Sequence, residues 1–172
     1  MSASAERLFV AIWPPADVVA AIERLPRPER EGVRWVTPAQ WHVTLRFFGR
    51  AEPAPVIEAL ADLDPTGTQV RLGPAVETLG RDVVTIPVAG LDDLAWAVQR
   101  ATRSLGRPPE HRRFRGHLTL ARVRGGVSSG VEGRGIEATF PVREVTLVAS
   151  SLSSSGPTYR VVSTLGRTSE GP

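Results

Sequence analysis

The sequence predicts an α+β fold made of two lobes that face each other across a cleft. Strand-like and helix-like segments alternate along the 172 residues, and short turns rich in Gly and Pro separate the strands, as in antiparallel sheets. The order strand, helix, strand, helix occurs early and, more loosely, again late. Each half carries one His-x-Thr tripeptide, at His42 to Thr44 and at His117 to Thr119. This near-repeat predicts one two-lobed domain spanning residues 1–172.

Strands are predicted where a short apolar run rich in β-branched and aromatic residues ends at a turn signal. The first run, 8–13, stops at two prolines, and the two runs with His-x-Thr, 41–48 and 117–123, are each bounded by glycine. The remaining predicted strands are 33–36, 70–72, 75–79, 83–88, 136–140, 145–152 and 159–165.

Three segments with apolar residues at helical spacing predict helices, at 17–25, 56–63 and 91–105. Prolines precede the first two, where the first helical turn tolerates them, and proline or glycine ends all three. Residues 107–116 and 125–135 are too polar and too rich in Pro or Gly for regular structure, so both are predicted loops. The two loops flank the second His-x-Thr strand.

Composition excludes several classes of protein and of site. The chain has no cysteine, which rules out a disulfide framework, a thiolate nucleophile and any Cys-ligated zinc or iron–sulfur site. No apolar run approaches the roughly 20 residues of a membrane span, and residues 1–7 lack the pattern of a signal peptide. We therefore expect a cytoplasmic protein with no membrane partner.

All 21 basic residues are arginine. A codon bias towards GC-rich triplets would explain this without any functional meaning, whereas arginine also offers a planar, always-charged fork suited to phosphate. The distribution favours an anionic ligand, because eight arginines lie between 100 and 124 and are opposed only by Glu110. The net charge of +3 is too small to indicate a general nucleic-acid coating.

The two His-x-Thr strands hold two of the three histidines in the chain. Strict strand alternation places His42, Thr44 and Arg46 on one face and the intervening apolar residues in the core. A single histidine on a strand is more often structural, but the repeated pair supplies two imidazoles and two hydroxyls. One imidazole can act as acid and the other as base, which is suited to cleaving a phosphodiester without a metal. The third histidine, His111, is predicted to be a loop residue.

These features resemble the two-histidine phosphoesterases, and more narrowly the RNA 2′,3′-cyclic phosphodiesterases, historically called 2′-5′ RNA ligases. The similarity covers nearly the whole chain and extends beyond the two motifs. It includes Arg7 to Ala11, Arg34 to Val36, Phe114 and Arg115, Ala121 and Arg122, Ala149 to Leu152, and Gly156 to Tyr159.

The resemblance implies a bilobal α+β fold with two antiparallel sheets and flanking helices around a central cleft. It implies hydrolysis of 2′,3′-cyclic phosphates on RNA ends or nucleotides to 2′-phosphates, by a monomer with neither cofactor nor metal. His42 would be the general acid that protonates the leaving ribose oxygen, and His117 the general base that activates water. Thr44 and Thr119 would bind the non-bridging phosphate oxygens.

Two further residues carry expectations about the substrate. The resemblance implies that Arg122 offsets the charge of the transition state. Strict alternation places it on the face opposite His117, so it reaches the site only if the strand ends or twists. Phe48 has two interpretations: it is a core residue, or its ring stacks on a base of the substrate.

The sequence departs from the family at two positions. Gly116 stands where the family often has proline, which we expect to loosen the approach to His117. Arg46 stands where lysine is frequent, and neither change removes a catalytic group.

Several alternative functions remain open. Within enzymes these are the reverse 2′-5′ joining of RNA ends, and phosphodiesterase action on 2′-5′ oligonucleotides or on small cyclic phosphates. A module that binds RNA ends without catalysis is the alternative of another class. A two-histidine metal site lacks carboxylates near either motif.

Overall fold

The structure, a computed structural model, describes residues 4–167, and it places ten strands and three α-helices there in the expected order. The ends of the predicted domain, residues 1–3 and 168–172, lie outside the described residues. The strands are β1 Glu6–Ile12, β2 Val33–Trp35, β3 Val43–Ala51, β4 Gln69–Leu72, β5 Glu77–Leu79, β6 Val83–Ala89, β7 His117–Val123, β8 Ala138–Pro141, β9 Glu144–Ser153 and β10 Gly156–Arg167. The helices are α1 Ala16–Glu23, α2 Pro53–Ala59 and α3 Asp92–Ala101.

The strands pair in the order β10-β9-β1-β3-β7-β6-β4-β8, with β2 added to β7 and β5 added to β6. Every one of these strand pairs is antiparallel. The α+β class is therefore confirmed. All ten strands belong to one sheet. The two expected lobes correspond to the two halves of its order, which are joined between β3 and β7 at one residue pair, Val43 with Leu118.

Apolar side chains on β1 point alternately to the two faces of the sheet. Leu8, Val10 and Ile12 belong to the main core, together with the buried sides of the three helices. Phe9 and Ala11 point the other way and form a smaller buried cluster with Val148 of β9, against which Trp13, Phe47 and Tyr159 pack. The alternation of β1 therefore places a second apolar surface on the side of the sheet that also carries the histidines.

The helices are shorter than their apolar patterns predict. Helix α2 ends at Ala59 and α3 ends at Ala101, where helical spacing of apolar residues suggested 63 and 105. Beyond α3 the chain turns, and Arg46 of β3 hydrogen-bonds the carbonyl oxygens of Leu105 and Arg107. Within residues 4–167, none of the helices combines the length and the apolar character needed to cross a membrane.

Candidate active site

The two His-x-Thr tripeptides meet at their central residues. Val43 of β3 is the partner of Leu118 of β7 in an antiparallel register, and both side chains are buried in the main core. The register places one histidine of each motif across from the threonine of the other, and strand alternation turns all four side chains away from the core. All four are partly exposed. The structure thus brings together His42, Thr44, His117 and Thr119 on one face.

Both imidazoles are oriented by the same local hydrogen bond. The Nδ1 atom of His42 lies 2.7 Å from the carbonyl oxygen of Gln40, and Nδ1 of His117 lies 2.9 Å from that of Arg115. Because a carbonyl oxygen only accepts, each Nδ1 carries a proton and donates it. The Nε2 atom of each ring is then the one that gains or loses a proton. For His42 this atom lies 3.1 Å from the hydroxyl of Thr44.

Three aromatic rings surround His42. Phe9 stacks on the imidazole at a centroid distance of 4.9 Å, Tyr159 lies edge-on at 5.4 Å, and Trp13 is tilted at 5.2 Å. The indole of Trp13 is itself held by a 2.8 Å hydrogen bond to the hydroxyl of Thr146. Burial lowers the pKa of His42; the carbonyl of Gln40 raises that pKa and the charge of His117 lowers it, and both effects are smaller. The two histidines are therefore close enough to influence each other.

Opening this aromatic enclosure is expected to raise the pKa of His42. In the folded protein that pKa lies below its ordinary value of 6.5, so the unfolded chain binds the proton more readily as the pH falls. The contribution of His42 to the free energy of unfolding is therefore greatest above pH 6.5 and decreases as the pH falls below 6.5. We expect Tyr159→Ala to move the pKa up towards the ordinary value, as measured by NMR titration of the imidazole. Tyr159→Phe keeps the ring and should leave the pKa low; an equal shift in both variants would contradict this account.

Each motif strand contains a β-bulge at the same position, three residues after its histidine. Between β1 and β3 the register skips Leu45, and between β6 and β7 it skips Leu120. A bulge leaves two successive side chains on the same side of the strand and inverts the alternation beyond it. Ala121 is therefore buried with Leu120, and Arg122 is exposed on the side of His117, in the cleft that also contains Thr44.

The bulge in β3 overturns the placement of Arg46 that strict alternation predicts. Arg46 is only 4% exposed and points into the protein instead of accompanying His42. Its guanidinium donates to the carbonyl oxygens of Leu105 at 2.8 Å and Arg107 at 3.1 Å and to the hydroxyl of Thr102. It also lies 4.5 Å above the ring of Phe48. Arg46 therefore connects β3 to the segment that leads into the arginine-rich loop.

The expectation that Phe48 stacks on a substrate base is corrected. The register between β1 and β3 shifts a second time between Leu8 and Phe9, opposite Phe48. The side chain of Phe48 is 0% exposed and belongs to the main core. The neighbouring Phe47 lies on the cleft side, with the guanidinium of Arg7 at 4.6 Å from its ring centroid. The interpretation of Phe48 as a core residue is the one that the structure supports, because no ring face of Phe48 is available to a ligand.

The cleft beside the motifs has a volume of about 620 Å³, within the range of roughly 300–1,000 Å³ typical of ligand pockets. The predicted loop 107–116 forms much of its wall. Ion pairs partly neutralise this wall, from Arg115 to Glu77 at 3.3 Å and from Arg113 to Asp92 at 3.9 Å. Five exposed arginines line the cleft, Arg107, Arg112, Arg113, Arg115 and Arg122, whereas Arg46, which also borders it, is buried. This local positive charge matches the anionic ligand expected from the sequence.

The structure also locates His111 and Gly116, for which the sequence carried expectations. His111 lies exposed in the loop, outside the cluster of four motif side chains. Gly116 does not loosen the approach to His117, because its carbonyl oxygen accepts a 3.0 Å hydrogen bond from the backbone of Val88. A Cβ atom at position 116 would lie only 2.5 Å from the Val88 carbonyl oxygen, so glycine permits the close approach of the two strands. Among residues 4–167, no group of three or more His, Cys, Asp or Glu side chains could hold a metal ion.

Sequence reasoning missed the aromatic enclosure of His42. The alternation of Phe9, Ala11 and Trp13 is visible in the sequence, but the residues between them are equally apolar. Periodicity therefore could not say which side of β1 faces a site. Tyr159 is more than 100 positions from His42 in the chain, and only the pairing of β10 with β9 and of β9 with β1 brings it near.

The sequence and the fold of this chain are both similar to those of known phosphoesterases. Residues 12–72 match the family described as LigT like Phosphoesterase. The fold matches the crystal structure of E. coli LigT complexed with 3′-AMP, with a TM-score of 0.74 and 28% identity over 93% of this chain and 97% of that one. The resemblance to the two-histidine phosphoesterases is confirmed. No curated protein sequence matches the chain.

Two more structures show how widely this phosphoesterase fold extends. TT0787 of Thermus thermophilus has a TM-score of 0.73 and 27% identity, over 92% of this chain and 96% of that protein. The MHV ns2 PDE domain is only 13% identical at a TM-score of 0.54, over 91% of this chain and 99% of that one, so it shares the fold alone. The two-histidine phosphoesterase fold thus accounts for nearly the whole chain, including the strands beyond residue 72.

Proposed function

We propose that this LigT-like phosphoesterase hydrolyses 2′,3′-cyclic phosphates at RNA ends to 2′-phosphates, with His42 and His117 as its acid and base. The observation that carries the proposal is the pairing of Val43 with Leu118, because it turns both His-x-Thr motifs onto one face. Two imidazoles with their Nε2 atoms free to exchange protons, beside two hydroxyls, can serve one phosphate from both sides.

In the proposed reaction His117 Nε2 accepts a proton from water, whose oxygen then attacks phosphorus. The bond from phosphorus to the ribose O3′ breaks, and protonated His42 gives its Nε2 proton to that leaving oxygen. The product is a 2′-phosphate, and proton exchange with solvent restores both histidines. Thr44 and Thr119 donate hydrogen bonds to the non-bridging oxygens, and Arg122 offsets the charge that develops on them.

The low pKa of His42 bears on its role as the acid. Burial favours the neutral imidazole in the free protein, whereas an acid must carry the proton. A bound cyclic phosphate brings a negative charge next to the ring, which favours protonation and raises the pKa when substrate is present. The substrate would thereby help to generate the acid that cleaves it.

The nature of the substrate is supported by similar proteins and by charge. Crystal structures of E. coli LigT are complexed with 3′-AMP and with ATP, at 28% identity to this chain. The arginines along the cleft suit a phosphate ligand. A monomer is expected to be sufficient, because both motifs come from one chain; light scattering of the purified protein would test this.

Product analysis separates the proposed reaction from its alternatives. Cyclic mononucleotides, a cyclic-phosphate-ended oligonucleotide and a 2′-5′ linked oligonucleotide would each be incubated with the protein, with and without EDTA. We expect 2′-phosphate products and no effect of EDTA. Formation of 2′-5′ linkages would favour ligation. Tight RNA binding without turnover of any substrate would favour the non-catalytic module and contradict the proposal.

Removing the charge of Arg122 is expected to reduce turnover more than binding. Arg122→Gln keeps much of the length of the side chain but cannot offset negative charge in the transition state, so we expect kcat to fall by about 10- to 100-fold. The measurement is steady-state kinetics on a cyclic mononucleotide. Arg124→Gln, at an exposed position just beyond β7, is the matched control and should retain near-normal kcat. An equal loss in both variants would argue against a specific role for Arg122.

A further inference from the structure

Helix α3 and the turn after it present an exposed aromatic and basic surface beside the cleft, here called the α3 outer face and defined by Trp96 and Arg100 of the helix and Arg103 of the turn. Trp96 is 60% exposed, although a tryptophan side chain usually buries most of its area. The guanidinium of Arg100 lies 5.1 Å from its ring centroid. With Ala97, Ala101 and Ser104, the three residues border a shallow depression of about 540 Å³.

The α3 outer face adjoins the cleft, because its helical neighbours touch the cleft wall. Residues three or four apart are neighbours on a helix surface. Asp92, four residues before Trp96, pairs at 3.9 Å with Arg113 of the arginine-rich loop. Gln99, three residues after Trp96, lines the cleft itself. The α3 outer face therefore lies next to the cleft, on the side of the helix that borders Arg113 and Gln99.

The chemistry of this surface favours single-stranded nucleic acid. An exposed indole offers a flat face on which any base can stack, and Arg100 and Arg103 offer charge to the neighbouring phosphates. The acidic residues of α3, Asp92 and Asp93, lie at the start of the helix, where the carboxylate of Asp92 is occupied by Arg113. From Trp96 to Arg100 the helix rises about 6 Å at 1.5 Å per residue, and the segment from Trp96 to Arg103 carries positive charge only.

We propose that the α3 outer face binds the single-stranded RNA segment that precedes the cyclic phosphate end. This inference rests on the proposed function, since it assigns the reacting nucleotide to the cleft and the preceding nucleotides to α3. Trp96 stacks on a base, and Arg100 and Arg103 contact the backbone. The surface would favour oligonucleotides over mononucleotides without taking part in the chemistry.

The test compares a cyclic mononucleotide with a cyclic-phosphate-ended oligonucleotide. Trp96→Ala is expected to raise KM for the oligonucleotide about 10-fold and to leave kcat/KM for the mononucleotide unchanged. Trp96→Phe should restore most of the affinity, and Arg100→Gln with Arg103→Gln should flatten the salt dependence of KM. Leu152→Ala, which removes another exposed apolar side chain, is the matched control and should match the wild type. Wild-type oligonucleotide KM in Trp96→Ala would overturn the proposal.

A binding measurement keeps this inference separate from the catalytic proposal. Fluorescence anisotropy of a labelled oligonucleotide ending in a 2′-phosphate reports affinity without turnover. If no cyclic phosphate is hydrolysed, the proposed function fails, while weaker RNA binding by Trp96→Ala still supports the surface. If hydrolysis proceeds but Trp96→Ala binds the oligonucleotide as tightly as the wild type, the α3 surface is overturned and the function stands.

Discussion

His42→Ala and His117→Ala are each expected to lower kcat on a 2′,3′-cyclic phosphate by about 10²- to 10⁴-fold, the usual contribution of a positioned acid or base. Each substitution removes one of the two imidazoles of the paired motifs, and the third histidine, His111, cannot replace it because it is exposed in the loop and does not line the cleft. His111→Ala is the matched control and should retain activity. The double variant should lose little more than a single one, because the two groups act in one step.

The pH dependence of the same variants would separate the two roles. A general acid must be protonated, so its titration produces the alkaline limb of the rate profile; a general base produces the acidic limb. We expect the residual activity of His42→Ala to lack the alkaline limb and that of His117→Ala to lack the acidic one. The reverse pattern would exchange the roles. Full activity in either single variant would exclude the acid and base mechanism altogether.

Arg46→Ala is expected to lower the free energy of unfolding by about 3–5 kcal/mol, a large effect for one substitution. The change leaves the carbonyl oxygens of Leu105 and Arg107 without their donor, and it opens a space beside Phe48 where the guanidinium now lies. The measurement is urea unfolding followed by circular dichroism. Activity should fall as well, because Arg46 holds the start of the loop that lines the cleft.

Two controls make this prediction specific. Arg50, on the same strand, is exposed and donates to the backbone oxygen of Ala5, so Arg50→Ala should cost less than about 1 kcal/mol. Arg46→Lys keeps the charge but cannot reach several acceptors at once, and it should recover only part of the lost stability. A loss at Arg46 no larger than that at Arg50 would show that the buried network contributes little.

Local sequence patterns predict the order of strands and helices that the structure has, and they single out His42 and His117 as candidates for catalysis. The strands with His42 and His117 were recognisable because a polar pair interrupts an apolar, β-branched run. Helix ends were predicted less well. The apolar spacing up to Leu105 continues the stripe of α3, yet the helix stops at Ala101, and Arg46 of a distant strand binds the carbonyl of Leu105. Spacing alone carries no information about such a partner.

The β-bulges account for the site residues that sequence reasoning misplaced. Alternation predicts Arg46 beside His42 and Arg122 opposite His117, whereas the structure buries Arg46 and places Arg122 in the cleft with His117. A bulge arises when one strand fits one more residue than its partner, so it depends on the register with β1 or β6 and not on the strand itself. Phe48 is buried for the same reason.

The amino-acid sequence establishes which groups are present: two His-x-Thr pairs, each on an apolar strand, and a basic segment around the second. Their chemistry and strand periodicity are local properties, so they can be read without a partner. The two pairs face one another because of strand pairing, which rests on one contact between distant residues, Val43 with Leu118. Pairing between strands far apart in the chain also places Arg122 in the cleft and aromatic rings around His42, so neither feature can be predicted from local sequence.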